Sequence, residues 1–265
     1  MMKQTNIIVT TGRKISGAVE NKARQAAVEL GGLFVRRGEY SLEYLRQEYA
    51  SDLILVVKKK DYVLDKPEGE FFFHPSMAHL RIKNLRRGME DHMVEAMGLE
   101  PGMSVLDCTL GFAADAIVAS FIAGETGQVT GVEVSPLIAF VVGHGLAELQ
   151  AASPVGLQAA MRRIKVHGAD YEEYLRMAAA KSVDIVYLDP MFRYPMQGSA
   201  AIKPLRDLAD HREVGLAAIA EARRVARKRI VIKEASYSQE FERLGCTRLS
   251  GGKYSKIHYG IIDIE

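Results

Sequence analysis

Hydrophobic and polar positions change their period several times along this 265-residue chain. Asn6–Thr11 is a short apolar run that predicts a strand. Ile15, Val19, Ala23, Ala26, Ala27 and Leu30 then fall on one helical stripe, which Gly31-Gly32 closes. Leu33–Arg36 predicts a second short strand, and Ser41 opens a capped amphipathic helix reaching Tyr49. Asp52–Lys60 and Tyr62–Leu64 predict a hairpin turning at Lys60-Asp61, followed by turn material at Lys66-Pro67-Glu68-Gly69. Residues 1–70 are thus expected to form a small α/β unit. Nothing in them has catalytic spacing, and the Lys58-Lys59-Lys60 run fits a solvated hairpin end better than an RNA contact.

Residues 71–103 change character. Phe71, Phe72 and Phe73 lead into His74-Pro75, then into a segment dense in Arg and Lys, and a helix over Glu90–Met97 stops at Gly98. From Ser104 the pattern alternates regularly. Strand-like runs at Ser104–Cys108, Gln128–Val134, Ile164–His167, Val183–Leu188 and Arg229–Lys233 enclose helical stretches at Ala113–Ala123, Pro136–Leu149, Tyr171–Ala180 and Val214–Ala226. Near-continuous apolar strands separated by helices predict a parallel sheet covered on both faces. A short helix at Gln239–Leu244 and two closing runs, Cys246–Leu249 and Lys256–Ile264, predict an antiparallel hairpin at the sheet's end. The expected fold is α/β, with one domain over 104–265.

Composition removes several classes. The chain is 48% hydrophobic and 26% charged, the range of a globular protein with a sizeable core. No apolar run reaches the roughly 18 residues a membrane span requires, and the polar start carries no signal-peptide pattern. Two cysteines far apart argue against a disulfide framework or zinc site and fit a reduced, cytoplasmic setting. His74, His79 and His167 lack metal-ligand spacing, so no metal is expected. A net charge of +2 is too mild to indicate a nucleic-acid partner, which must be argued from local clusters. The sequence gives no oligomeric state.

The chemistry gathers at the predicted strand ends. Val105–Asp115 (V-L-D-C-T-L-G-F-A-A-D) reads as strand, tight turn and helix start, where doubly wound sheets bind nucleotide-like ligands. The G-x-G-x-x-G and Walker A patterns are absent, so no pyrophosphate cradle is expected. Asp107 ends the first of these strands, Thr109 can supply a hydroxyl, and Gly111 admits a close backbone approach. Glu133, ending the next strand, can accept from both ribose hydroxyls of an adenosine or can be a plain surface acid. Asp115 fits either a ligand amino group or the helix dipole. Asp170 fits either an adenine amine acceptor or a helix N-cap.

Leu188-Asp189-Pro190-Met191-Phe192 ends the fourth strand. The acid–proline–x–aromatic order resembles the D/N-P-P-Y/F motif of enzymes that methylate an exocyclic base amine, with Met191 replacing the second proline. The amine lone pair is delocalised into the ring and must be turned toward the methyl donor. Asp189 and the Pro190 carbonyl can accept the two N–H bonds, while Phe192 offers a stacking face. Cys108 has no evident base and is preceded by no proline, which argues against covalent cytosine-C5 chemistry.

Five parallel strands with a closing hairpin resemble class I S-adenosylmethionine (SAM) methyltransferases. The elements V-L-D-x-T-x-G-x-x-x-D-A, L-D-P-M-F with Ser199-Ala200, M-A-H-x-R at Met77–Arg81 and Ile232-Lys233 narrow this. They resemble the bacterial small-subunit ribosomal RNA guanine-N2 methyltransferase family (RsmJ-type), from about Met77 to the C-terminus. The resemblance implies SAM as cofactor, with contacts at Ala114-Asp115, Glu133-Val134, Ala169-Asp170 and Asp189. It also implies methylation of guanine N2 in ribosomal RNA or the small ribosomal subunit. The family's G-L-G-R-D is G-F-A-A-D here, and the basic residues expected after D-P-M-F are replaced by Arg193–Gly198.

Arg81, Lys83, Arg86 and Arg87 precede this domain and are expected either to hold RNA phosphates or to line a solvated helix. Arg223, Arg224, Arg227, Lys228 and Arg229 fit a helix C-terminus. Two alternatives stand beside ribosomal RNA: another RNA, small-molecule or protein amine as acceptor, and a SAM- or RNA-binding module without catalysis.

Overall fold

A computed structural model of the chain describes residues 7–13, 15–150, 154–190 and 208–265, with Ser76 described as backbone only. It divides into two compact units. The described part of the first lies mainly in 7–74 and 140–149, that of the second in 75–139, 154–190 and 209–265.

The first unit contains β1 (Ile7–Thr11), α1 (Gly17–Leu30), β2 (Leu33–Phe34), α2 (Leu42–Tyr49), β3 (Leu53–Val57), β4 (Tyr62–Lys66) and β5 (Gly69–Phe72). Its sheet has the order β2-β1-β3-β4-β5, with β2, β1 and β3 parallel and the last two pairings antiparallel. Ile8, Val35, Leu45, Ile54, Val56 and Val63 are buried as its core. α1 stops where Gly31 turns left-handed (φ 61°) and returns its N–H to Ala27 and Val28 carbonyls. The Ser41 hydroxyl accepts from Tyr44 N, the expected cap of α2. Strand β5 is additional to the expected elements: Phe71 is buried and Phe72 exposed, an alternation that three consecutive phenylalanines conceal.

The second unit opens with α3 (Ser76–Leu85) and α4 (His92–Met97). It continues with β6 (Ser104–Asp107), α5 (Ala114–Ala123), β7 (Gln128–Glu133), α6 (Pro136–Glu148, whose later residues belong to the first unit), α7 (Leu157–Arg163), β8 (Ile164–Gly168), α8 (Tyr171–Met177) and β9 (Val183–Leu188). It ends with α9 (Leu216–Val225), β10 (Ala226–Ala235), α10 (Glu240–Arg243), β11 (Arg248–Ser250) and β12 (Ile257–Asp263). The seven-stranded sheet runs β11-β12-β10-β9-β6-β7-β8. β10, β9, β6, β7 and β8 are parallel and the β11–β12 hairpin is antiparallel, as the alternation predicted.

Leu106, Val186, Leu188, Ile230 and Ile232 pack against Leu175 of α8 and Ala218, Ile219, Ala222 and Val225 of α9. Burying each of the Leu, Val and Ile side chains contributes about 1.5–3 kcal/mol before entropy is counted. Helix α7 went unassigned in the sequence, and α3 was foreseen only as a solvated helix. Ala78 and Ile82 form a buried i,i+4 pair on α3, and Leu157, Ala160 and Met161 form a buried stripe on α7. Both stripes are short and lie among charges, so the 3.6-residue period barely emerges. The chain leaves β6 for β7 on one side of the sheet and reaches β9 on the other. The order therefore reverses between β6 and β9, where α/β sheets take ligands at the carboxyl ends of the strands. Among the described residues no helix is long and apolar enough to cross a membrane, and no metal-binding cluster of His, Cys, Asp or Glu occurs.

Candidate methyl-transfer site

Two turns meet at this reversal. The backbone N–H of Asp189 donates to Thr109 Oγ1 at 2.6 Å, and Cys108 N donates to the Tyr187 carbonyl at 2.9 Å. Asp107 is 2% exposed beneath the first turn, where its Oδ1 accepts from Thr109 N at 3.0 Å. Burial, with Asp115 and Asp189 nearby, pushes its pKa up to about 8.

The turn tightens through Gly111 (φ 48°) and Ala113 (φ 60°) before α5 begins at Ala114. The left-handed region disfavours a Cβ, so Ala113 carries strain where the related motif has glycine. The backbone nevertheless closes, with Ala113 N bonded to Leu110 O at 2.7 Å.

On the β7 side, Glu133 is 7% exposed. Its Oε2 accepts from Gly111 N at 3.1 Å and its Oε1 from Ser135 N at 2.9 Å. Burial raises its pKa, against the pull of those two backbone donors. Val134 leads away from this strand end, and Ala169 N donates to the Glu133 carbonyl at 3.0 Å. Asp170 caps α8, with Oδ1 accepting from Glu172 N at 2.8 Å, while Oδ2 pairs with Arg212 at 2.7 Å. The structure thus shows the N-cap role foreseen for Asp170 and adds an ion pair with Arg212.

On the β9 side, the Lys233 ammonium lies 2.7 Å from Asp189 Oδ2 and 2.9 Å from Asp115 Oδ2. Tyr187 OH donates to the same Asp115 oxygen at 2.8 Å, and Arg81 bonds Asp115 Oδ1. Arg81 also makes a two-pronged pair with Asp91 at 2.7 and 2.8 Å, and Asp91 itself caps α4. Burial works against the Lys233 charge, but Asp115 and Asp189 outweigh it and hold its pKa up. Burial likewise opposes the Asp115 carboxylate, and Lys233 and Arg81 overcome it and hold its pKa down. For Asp189 burial prevails, helped by Asp115, and its pKa rises to about 6. Four carboxyls (Asp91, Asp107, Asp115 and Asp189) share two cations, so the least solvated acid, Asp107, is the first to keep a proton.

This arrangement corrects one expectation. Arg81 was expected either at RNA phosphates or on a solvated helix, but its side chain is 19% exposed and its donors are committed to Asp91 and Asp115. Lys83, Arg86 and Arg87 remain exposed at the end of α3 and just beyond it. Pro190 is the last described residue of the motif, and Phe192 and Arg193–Gly198 lie outside the described residues. Lys233, Tyr187, Asp91 and Arg212 had no site role in the sequence reading. Ile232-Lys233 entered that reading only as part of the family resemblance, and a lone lysine at the carboxyl end of the apolar run I-V-I-K is the local signal that could have pointed to its role.

A family model described as "Putative SAM-dependent methyltransferase" matches residues 44–255. The chain belongs to the SAM-dependent methyltransferases, in the family of ribosomal RNA small subunit methyltransferase J. A Shewanella sediminis member bearing that name is 31% identical over 195 residues, covering 71% of this chain and 72% of that one. An uncharacterized Bacillus subtilis (strain 168) protein, YpiP, is 39% identical over 255 residues, 96% of this chain and 98% of its own. The crystal structure of a SAM-dependent methyltransferase from Neisseria gonorrhoeae shares the fold, with a TM-score of 0.66 at 18% identity over 97% of this chain and 96% of that one. The cofactor is SAM.

The chemistry of the donor set fits that cofactor. Each Glu133 oxygen accepts one backbone N–H, and a carboxylate offers about four acceptor positions, leaving capacity for a ribose diol. Carboxyls outnumber cations around Asp115 and Asp189, which suits a cofactor whose net charge is positive.

Proposed function

We propose that the protein methylates the exocyclic N2 of a guanine in small-subunit ribosomal RNA. The observation carrying this reading is the Asp189-Pro190 turn, bonded to Thr109 and paired with Lys233 at the strand-order reversal of a SAM-dependent methyltransferase. The Shewanella relative named for ribosomal RNA supports the choice of acceptor.

SAM supplies an electrophilic methyl on a positively charged sulfur. Glu133 is assigned to the ribose hydroxyls, and the Gly111–Asp115 turn with Val134 is assigned to the rest of the cofactor's edge. Ala169 and Asp170 are assigned to the adenine. Lys233 engages Asp189 at Oδ2, so Oδ1 can accept one N–H of the incoming amine and the Pro190 carbonyl the other. These two bonds turn the nitrogen lone pair out of conjugation and toward the methyl. Lys233 favours the ionised carboxylate that this role requires. The Thr109 bond fixes the backbone that aims it, so catalysis is positioning and no protein nucleophile takes part. Phe192 is assigned as the stacking face for the base. Exposed Lys83, Arg86 and Arg87 are assigned to RNA phosphates.

The test is methyl transfer from labelled SAM to unmodified small-subunit ribosomal RNA, with the modified position located by mass mapping. A single N2-methylguanine is expected. Transfer to a small molecule or protein amine with none to RNA would overturn the acceptor. SAM binding without transfer to any acceptor would favour the non-catalytic reading.

A further inference from the structure

The smaller sheet has a strand-order reversal of its own. Its chain runs from β1 to β2 on one side and returns to β3 on the other, so the strand order reverses at β1. Such reversals create crevices beyond the carboxyl ends of the strands. All three parallel strands deliver cations there: Arg36-Arg37 follow Val35, Arg13 follows Thr11-Gly12, and Lys58-Lys59-Lys60 follow Val57. Thr11 and Val57 are register partners, which puts the starts of the last two loops side by side.

An open crevice of about 600 Å³ lies at this edge, lined by Thr11, Gly12, Arg13, Ile15, Arg36 and Gly38. These lining residues carry two guanidinium groups and no carboxylate. Glu20 is 3.7 Å from Arg36 but is bonded more closely by Arg24, at 2.8 Å. Burial, and then the like charge of Arg13, push the Arg37 guanidinium below its ordinary value, and the Asp65 carboxylate only partly offsets them. Folding alone gains nothing from crowding like charges on one edge, and an anion bound there relieves the repulsion.

We propose that this crevice and its lysine rim bind the phosphodiester backbone of the RNA substrate. The inference rests on the RNA reading above. Adjacent strands lie roughly 4.8 Å apart, so cations carried on three of them span about 10 Å. That exceeds one phosphate and favours a polyanion over a free phosphate ion. The hairpin lysines, expected to be a solvated loop end rather than an RNA contact, become RNA contacts.

The test uses the full chain and two variants, Arg13→Ala with Arg36→Ala, and Lys58→Ala with Lys59→Ala. Each is titrated with an unmodified small-subunit ribosomal RNA fragment over a range of salt, and with SAM by calorimetry. Each variant is expected to bind RNA about tenfold more weakly at low salt. The slope of log affinity against log salt is expected to shrink by about 1.4, at ~0.7 per phosphate lost on a single strand. KM for RNA rises, while kcat and SAM affinity stay unchanged. Unchanged RNA affinity and slope in both variants, with wild-type transfer intact, overturns the inference and leaves the functional reading standing. Tight inorganic phosphate binding that the variants lose, without any change in RNA affinity, makes the crevice a small-anion site and also overturns it. Wild-type protein that binds SAM but neither binds nor methylates RNA fails the functional reading, and the inference with it.

Discussion

The Lys233 ammonium lies 2.7 Å from the Asp189 carboxylate and 2.9 Å from that of Asp115, joining the two acids through one nitrogen. One residue thus bridges the turn assigned to the cofactor and the turn assigned to the acceptor. Replacing it with methionine leaves the half-buried Asp189 without a cation and Asp115 with Arg81 and Tyr187 alone, and breaking a buried pair typically costs about 3–5 kcal/mol. Lys233→Met should therefore lower the denaturation midpoint steeply. Adding Asp115→Asn should recover only part of the stability and none of the turnover, because Asp189 still lacks its partner. A Lys233→Met enzyme with full kcat would remove this role.

Asp189 is assigned an acceptor role that needs its ionised form. Its pKa is raised to about 6, so it gains charge as pH rises through that value, and kcat/KM should climb over the same window and then level off. Asp189→Asn should lose the rising limb and about 10²–10³-fold in kcat, the usual range for one lost positioning bond. SAM affinity should change little. A rising limb that survives in Asp189→Asn would assign it to another group.

Cofactor binding should release protons. In the free site Asp107 is raised to about 8 and Asp189 to about 6, so both hold proton density near neutral pH. A positively charged cofactor favours their anions and lowers both values. Calorimetry at pH 7 in buffers of different ionisation enthalpy should show net release, reduced in Asp107→Asn. Zero linkage, or proton uptake, would contradict the charge imbalance described here.

At Ala113 the backbone conformation (φ 60°) disfavours larger side chains. Glycine should be tolerated within about 1 kcal/mol, since relieved strain offsets lost burial and greater chain entropy. Valine adds β-branching and volume at a fully buried position and should destabilise by about 2 kcal/mol or more. Comparable urea midpoints for Ala113→Val and wild type would contradict the strained turn.

Charge reversal at Lys83, Arg86 and Arg87 should weaken RNA binding most at low salt, with SAM affinity preserved. Arg81→Glu should behave differently, placing a third carboxylate against Asp91 and Asp115 and costing stability and SAM binding at once. Thermal unfolding and SAM titration separate the two outcomes.

The doubly wound sheet was legible because its strands are apolar runs of ordinary length, and Asp107, Glu133 and Asp189 each end one of them. The partners of those acids were hidden. Arg81 sits in a run of arginines and lysines whose density suggests phosphates. Only the packing of α3 near α5 turns that one side chain inward while Lys83, Arg86 and Arg87 face solvent. Lys233 is 118 residues from Asp115 in sequence, and no periodic pattern reports such a pairing. Strand β5 was concealed because its exposed Phe72 is as apolar as its buried neighbour.

The Asp115 carboxylate is answered from α3, β9 and β10 together, by Arg81, Tyr187 and Lys233. Its charge is therefore the common property of four distant stretches of chain. A descendant that neutralises position 115 leaves Arg81 to Asp91 alone and Lys233 to Asp189 alone, and favours a later change at position 81 or 233. These positions are expected to drift as a set or to stay fixed, and a natural variant altering just one should be slow to appear and quick to be compensated.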